Sequence, residues 1–440
     1  MDERCEKMKI AMMTNNYKPF IGGVPISIER LTKALREQGH RVVVFAPRYS
    51  RLDTEQEGEE DVVRYSTLSQ RFYSDTVLPN PLDPVLDETF SREEFDVIHV
   101  HHPVLIGKVA AHLSAKYNIP LVYTYHTQYE QYLDYAGPIH WLSRGAEKDN
   151  LLGRLRSRGS RAIKQELAPW YLSGFMRRCH TVIAPTEGMK RAFELQYGYT
   201  YNCQADLAVL PTGLTAESYH PDGGVAGEIR QRYGRGDMPL LVTVSRLGHE
   251  KNVPFLLRCM ARLKKTLPDF RLMVIGDGPQ RKEYLDLCEQ LDIRQQICFL
   301  GSLPNREIAA HMAAADCFVF ASKTETQGIV ILEAMAARTP VVALRASGVE
   351  DLVEEGVSGY LCPEEEEAFA EQLLRVLQSE PLRDNLGEGA FRAALRYRED
   401  AVAERAVRIY TDTCRQYAMT QASAQISVFR DLRERLRLPS

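Results

Sequence analysis

The sequence predicts an α/β protein made of two doubly wound, Rossmann-like domains that face one interdomain cleft. Three observations carry that prediction. The chain has 440 residues, more than one ordinary core serves, so two domains of about 200 residues are expected. Short apolar, β-branched runs alternate with amphipathic stretches along its length. Continuous apolar strands separated by helices mean parallel sheets covered on both faces. The alternation then restarts after the turn-rich stretch PTGLTAESYHPDGG, whose residues 212–224 read as the link between domains.

In the first half the strand runs are KIAMMT (9–14), RVVVFAP (41–47), DVIHVH (96–101), PLVYTYH (120–126), TVIAP (181–185) and DLAVLP (206–211). In the second they are PLLVTVSR (239–246), FRLMVIGDG (270–278), QICFLG (296–301), CFVFAS (317–322) and PVVAL (340–344). The expected domains are 1–211, 212–391 and a helical end, 392–440. The acidic run 364–367 reads as the solvated start of a helix, where the dipole favours it. In this fold class ligands bind beyond the C-terminal ends of the strands.

Composition narrows the function. A net charge of −4 argues against a dedicated nucleic-acid binder. Nine scattered cysteines with no C-x-x-C suit a reducing compartment and argue against a disulfide framework or an ordinary zinc site. No apolar run reaches eighteen residues, so no spanning helix is expected. The start, MDERCEK, is charged and leads straight into a strand, unlike a secretory signal. The expected place of action is the cytoplasm.

The most informative stretch is SKTETQGIVILEAMAARTPVVA, with Glu325 and Glu333 eight residues apart. Glu325 lies in a polar turn after a strand run, and Glu333 lies inside an apolar segment that reads as a buried helix opening at Gly328. A helix start offers unpaired N–H groups and a positive dipole end, a seat for phosphate. One ligand then meets three features: a sugar hydroxyl at Glu325, a diphosphate at Gly328, Ile329 and Val330, and a ribose at Glu333. The plainer reading is one solvated loop acid and one buried, paired acid; the strand–turn–helix setting favours the ligand.

Three further constellations stand at strand ends. Gly22 and Gly23 precede a helix that Pro25 pre-sets at its first turn, and the lack of Cβ atoms lets the backbone approach a diphosphate or sugar. Ser245, Arg246 and Lys251 follow a strand in VSRLGHEKN, where a planar fork and a point charge suit a leaving diphosphate. A surface ion-pair cluster with Glu250 explains the same residues equally well. His126 ends the run PLVYTYH and points beyond the sheet, although a lone histidine is more often structural. His99 and His101 alternate onto one face and His102 onto the other, which speaks against a metal cluster and for structural or cleft-lining roles. The stretch 144–178 holds nine Lys or Arg against three acids, interleaved with leucines, Trp170 and Phe175. It fits a basic helical segment lying on anionic lipid or a charged helix on the protein surface.

These motifs together resemble the retaining glycosyltransferases of family 4, which have the two-domain GT-B fold, over residues 8–410. The E-x7-E stretch matches the family's donor-binding motif, Gly22-Gly23-Val24 its glycine loop, and Arg246 with Lys251 its R-x4-K pair. The segments HHPVLIG and YTYHTQYEQYL resemble the subgroup that glycosylates diacylglycerol and related lipids. The chain departs from the family at Arg338, where glycine is usual just past the helix. Arginine must there take or avoid a left-handed conformation, at about 1 kcal/mol.

The resemblance implies an enzyme: a retaining, metal-independent hexosyltransferase. Its donor would be a nucleotide-diphosphate sugar, UDP-glucose-like, and its acceptor a lipid hydroxyl such as that of diacylglycerol. It implies Arg246 and Lys251 on the leaving phosphate, Glu325 and His126 on the sugar, Gly276 and Gly278 near ribose and phosphates, and Leu303 beside the base. The terminal helix, expected over 392–416, would cross back to the first domain. No cofactor or metal is expected, since no Asp-x-Asp occurs. The partners would be the donor, a lipid or small-molecule acceptor and, through 144–178, an anionic membrane surface on the inner face of the plasma membrane. A soluble acceptor, an epimerase or hydrolase on the same fold, and a nucleotide-sugar-binding regulator without turnover remain as rivals. An oxidoreductase ranks lower, because Gly22-Gly23 is not a G-x-G-x-x-G fingerprint.

Overall fold

Strand runs of the first half assemble in parallel. The computed structural model describes residues 7–20, 22–49, 61–73, 76–126, 168–195, 205–234, 238–323 and 325–435. Strands β1 (Lys9–Met13), β2 (Arg41–Pro47), β3 (Val62–Tyr65), β6 (Val97–Val100), β7 (Leu121–Thr124), β8 (Thr181–Ala184) and β9 (Asp206–Val209) form a seven-stranded sheet in the order β3-β2-β1-β6-β7-β8-β9. Two more strands, β4 (Thr67–Tyr73) and β5 (Thr76–Pro79), pair antiparallel by themselves. The five inner strands of the sheet are almost wholly buried because helices cover them, as parallel sheets require, while the edge strands β3 and β9 are more open. The helix Gly23–Glu37 shows how the sequence does this. It buries Ile28, Leu31 and Leu35, one stripe at helical spacing. Gly39, at φ +88°, then turns the chain into β2.

Register decides what meets on the first sheet. Met12 lies opposite His99, and His99 opposite Val122. Alternation places Met12, His99, His101 and Thr124 on one face. There the helix Glu399–Arg435 supplies Tyr410, whose hydroxyl is 2.7 Å from His99 Nδ1, while Thr124 Oγ1 is 2.6 Å from His99 Nε2. Thr413 of the same helix pairs with Thr181 at 2.7 Å. Tyr417 packs edge-on to His180. On the opposite face Tyr123 packs edge-on to Phe175.

The second sheet runs β12-β11-β10-β13-β14-β15, all parallel. Its strands are β10 (Leu240–Val244), β11 (Arg271–Ile275), β12 (Ile297–Gly301), β13 (Cys317–Phe320), β14 (Val341–Leu344) and β15 (Gly359–Cys362). Alternate residues feed two separate cores. Leu240, Val242, Val244, Met273, Ile275, Phe318 and Phe320 join one with the helix Ile329–Ala336. Leu241, Leu272, Val274, Cys317 and Val319 join the other with the helix Val253–Thr266. Each fully buried side chain of this size contributes about 1.5–3 kcal/mol.

Chain contacts group Met1–Pro185, Ala192–Leu210 and Ala403–Ser440 into one unit, and Thr186–Arg191 with Pro211–Val402 into a second. The stretch read as a link, 212–224, is structured. Leu214 is buried in the core that holds the helix Ile329–Ala336, its N–H donates to Tyr397 O at 2.7 Å, and Ala216–Tyr219 is helical. A single helix, Glu399–Arg435, starts in the second unit and continues in the first. It begins later than the expected 392, because a helix Glu380–Ala394 and a 3₁₀ turn precede it.

Four strands were not among the expected runs: β3, β4, β5 and β15. β3 (VVRY) and β15 (GYLC) are edge strands in which an arginine or a glycine interrupts the apolar run. β4 reads TLSQRFY, a polar strand outside the main sheet. The acidic run 364–367 starts a helix at Glu366, but its acids are paired: Glu364 with Lys323 at 2.8 Å and Glu366 with Arg258 at 2.6 Å. Arg338 takes the left-handed conformation, φ +61°. Its guanidinium lies 3.7 Å from the Phe391 ring centroid and pairs with Glu388. Those contacts offset the strain that glycine would avoid.

The buried histidines make stability depend on pH. Burial holds His99 near pKa 3, below its ordinary 6.5, and lowers His101 strongly, with neighbouring histidines adding to the effect. The unfolded chain takes up protons as pH falls through about 6.5, whereas the folded chain resists. Stability is therefore complete above that value and is lost towards pH 4, at up to about 1.4 kcal/mol per pH unit for each such histidine. Thermal unfolding followed by circular dichroism should show the midpoint falling between pH 7 and pH 5. His99→Asn should start lower and show a flatter profile.

Candidate functional site

The charged residues of the second unit gather beyond the C-terminal ends of β10 and β13, and the local sequence explains how. β10 ends at Val244 and continues one hydrogen bond further, Ser245 N–H to Ile275 O at 3.0 Å. Gly276, at φ +125°, sits so close that a Cβ would lie 1.9 Å from Ser245 O. A Cβ on Gly278 would lie 2.4 Å from Leu247 O. Both glycines are thus required by the close approach of two strand-end loops, whatever ligand comes there. Leu303, two residues past β12, is half-buried against the core that holds the helix Ile329–Ala336.

Arg246 and Lys251 emerge from the β10 loop and each meets a carboxylate. Arg246, two-thirds exposed, pairs with Glu250 at 2.7 Å. Lys251 Nζ lies 2.6 Å from Glu325 Oε1, with both side chains at least four-fifths buried. Burial alone would raise the Glu325 carboxyl pKa. The Lys251 ammonium, a Ser322 hydrogen bond and the more distant Arg246 charge outweigh that, and the net shift is downward. Glu325 is accordingly held ionised, an acceptor with no proton to give. The ion-pair reading of Arg246 with Glu250 and the grouping of Arg246, Lys251 and Glu325 are both realised here.

Gly328 stands at the N-cap of the helix Ile329–Ala336 in the left-handed conformation, φ +73°. Its carbonyl accepts from Ile331 N–H at 2.9 Å, so the N–H groups of Ile329 and Val330 head the helix with no partner inside it. Glu333 lies one turn on and is half-buried. The helix is almost wholly apolar because the second core takes most of its surface.

Two residues near Glu325 escaped the reading of motifs. Gly348, at φ +75° after β14, lets its loop touch the Glu325 turn: a Cβ there would lie 2.3 Å from Glu325 O. Gln327 is 3% exposed. Its Oε1 accepts from Thr212 N–H at 2.8 Å and its Nε2 donates to Thr212 O at 3.3 Å. A glycine just beyond the run PVVAL was the available signal for Gly348. Nothing local marks Gln327, whose partner is 115 residues away.

The remaining predicted residues lie in the first unit. Gly22 is the N-cap of Gly23–Glu37 at φ −177°, extended backbone that any residue adopts. What glycine adds there is the missing Cβ, which would meet the Phe20 ring at 3.0 Å. His126, two residues past β7, joins a row of rings. Its Nε2 is 2.8 Å from His101 Nδ1, and the rings stack at 5.1 Å. His101 in turn packs against His99 at 4.2 Å. His102 turns away: its Nδ1 accepts from Asn15 N–H at 3.2 Å and lies 3.3 Å from Thr14 Oγ1. Among the described residues, no group of three or more His, Cys, Asp or Glu is arranged to hold a metal ion. Of the basic stretch 144–178, residues 144–167 lie outside the described residues. Trp170, which follows, is exposed.

Comparison with known proteins places this geometry. Residues 21–217 match the family described as Glycosyltransferase Family 4, and residues 226–393 match Glycosyl transferases group 1. An alpha-monoglucosyldiacylglycerol synthase of Streptococcus pneumoniae is 26% identical over 80% of this chain and 75% of its own length. The protein of the same name from Acholeplasma laidlawii is 24% identical over 92% of this chain and 97% of its own. A crystal structure of Anabaena HepE in complex with UDP and glucose shares the fold, with a TM-score of 0.69 and 22% identity, covering 92% of this chain and 100% of that one. The fold is therefore GT-B, each half a Rossmann-like α/β unit.

The contact between Gly348 and the Glu325 turn gives a test. Gly348→Ala forces an L-residue into positive φ and places Cβ against a carbonyl. It should cost at least about 2 kcal/mol, and any folded protein should carry a displaced Glu325 turn. Denaturant unfolding measures the first effect and titration of donor binding the second. An unchanged midpoint would show that the loop is free to move aside.

Proposed function

Because this chain belongs to the family 4 glycosyltransferases, we propose that it moves a hexose from a nucleotide-diphosphate sugar, UDP-glucose or a close analogue, to a membrane-lipid hydroxyl such as that of diacylglycerol. The transfer retains the anomeric configuration and uses no metal. The observation that carries the reading is the Lys251–Glu325 pair beside Arg246, next to the helix headed by Gly328.

The chemistry follows from that arrangement. A donor diphosphate is seated by the N–H groups of Ile329 and Val330 and by the cations Arg246 and Lys251, with Arg246 exchanging Glu250 for phosphate oxygens. Glu325, held ionised, accepts from a sugar hydroxyl, and Glu333 takes the ribose. Ser245, Gly276 and Gly278 line the nucleotide, Leu303 meets the base, and Gly22, Gly23 and His126 serve the donor from the first unit. The acceptor oxygen bonds to the anomeric carbon on the face that the diphosphate leaves. The carbon–oxygen bond to phosphate breaks, and the acceptor proton passes to the departing phosphate oxygen. Arg246 and Lys251 neutralise the charge developing there, an effect worth about 3–4 kcal/mol for one well-placed group.

The names of the two relatives support a lipid acceptor, and the UDP and glucose bound by the Anabaena protein support the donor. Among the described residues no helix is long and apolar enough to cross a membrane. A lipid acceptor would then be met at a membrane surface, with 144–178 as the basic contact on the cytoplasmic face.

The deciding experiment offers purified protein a panel of nucleotide sugars with diacylglycerol vesicles, soluble sugars or no acceptor, read by mass spectrometry. Glucosyl-lipid from UDP-glucose with α-configuration is the expected product. Transfer only to soluble sugars would overturn the acceptor, and free sugar or an epimer without acceptor would overturn transfer itself. Glu325→Gln keeps the shape and removes the charge; turnover should fall about 100-fold or more with the fold intact. Activity should persist in EDTA, because cations of the chain meet the diphosphate. Complete loss, restored by magnesium or manganese, would reject that part of the mechanism.

A further inference from the structure

We infer that His101 is a positioning residue that fixes the tautomer of His126, so that the Nδ1 of His126 is an acceptor and never a donor. The significance of this for transfer rests on the reading that His126 serves the donor sugar. The tautomer itself rests on the geometry of the row and on both rings being neutral.

His101 stands one residue past β6 and is 1% exposed. Its Nε2 lies 3.3 Å from Met12 Sδ, and its Nδ1 lies 2.8 Å from His126 Nε2. A thioether sulfur carries no hydrogen and can only accept. Nε2 of His101 must therefore hold the proton, since two lone pairs facing each other at that distance repel. A neutral imidazole has one N–H, so Nδ1 of His101 is bare and accepts. The hydrogen between the two rings then belongs to Nε2 of His126, and the lone pair of His126 is at Nδ1.

Two further facts keep the row in this state. Burial and the neighbouring histidines hold both rings neutral, with His126 near pKa 3. Reversing the His101 ring would replace both nitrogens with carbons and forfeit both contacts. Its ring packs 4.2 Å from His99, which Tyr410 and Thr124 fix at its two nitrogens. Met12 is thus the one-way element of the chain, on the strand next to β6. A ligand hydroxyl that meets His126 at Nδ1 must donate its hydrogen. Its oxygen lone pairs then remain for other groups.

Nitrogen-15 NMR of histidine-labelled full-length protein without donor tests the tautomer, with signals assigned by loss in His126→Gln and His101→Gln. The expected spectrum shows both His101 and His126 protonated at Nε2 and bare at Nδ1. A His126 protonated at Nδ1, or at both nitrogens near pH 7, overturns the inference. Met12→Leu conserves volume and removes the acceptor, so His101 should lose its single tautomer; an unchanged spectrum overturns the role of Met12. In turnover, His101→Phe should lower kcat about tenfold with donor KM little changed, because a positioned hydrogen bond is lost. His101→Gln, whose amide oxygen can still accept from His126, should recover much of that loss. Equal defects in the two variants overturn the positioning role. Absence of any transferase activity would sink the proposed function while leaving the spectrum as expected. The wrong tautomer would do the reverse.

Discussion

A parallel sheet covered on both faces leaves its strands no place for charge, and this constraint organises the whole chain. Within β10, β11 and β13 every residue but Arg271 is buried. Charged side chains therefore collect in the loops that follow the strands, and at the C-terminal ends those loops open helices. Arg246 comes two residues after β10, Gly276 one after β11 and Glu325 five after β13. In the first unit His101 and His126 follow β6 and β7 in the same way. The chemistry of the molecule is a consequence of where the sheets stop.

At those ends the electrostatics are arranged in pairs. Lys251 keeps Glu325 ionised in a site where burial favours the neutral acid, and Glu250 occupies Arg246. Half-buried charges left without partners would cost several kcal/mol. Pairing them holds the cations in place, which under the proposed function leaves them ready for a phosphate that replaces or joins a carboxylate. The backbone comes close there too: Gly276, Gly278 and Gly348 are each pressed against a carbonyl, those of Ser245, Leu247 and Glu325. The first unit solves a different problem: four histidines stand near one another, and burial keeps them uncharged. Uncharged, they take part in directed contacts, His99 with Tyr410 and Thr124 and His101 with His126.

Strands with long apolar runs were legible, and the eleven expected runs all form strands. The edge strands β3 and β15 were not, because an arginine in one and a glycine in the other interrupt their short apolar runs. The E-x7-E stretch was legible as strand, turn and helix, because its polarity changes abruptly at Ser322 and again at Gly328. Residues 212–224 begin the second unit, but that they pack on its core was not legible, because turn-forming residues mark a turn whether it spans solvent or packs on a core. Leu214 is buried through a bridge to Arg398, far along the chain, and no local pattern reports that.

What the sequence by itself determined is therefore the class of fold, the places of most strands along the chain and the positions where chemistry could stand, since each follows from local periodicity and from the chemistry of residue types. Only the tertiary structure decided which of those positions act together. Lys251 and Glu325 are 74 residues apart, Gln327 and Thr212 are 115, and His99 and Tyr410 are 311. Such pairs depend on strand order and on the register of neighbouring strands, which hydrophobic periodicity leaves open. The role of Arg338 was decided there too. The sequence shows an arginine at a position that strains its backbone, and the packed structure supplies Phe391 and Glu388 to hold it.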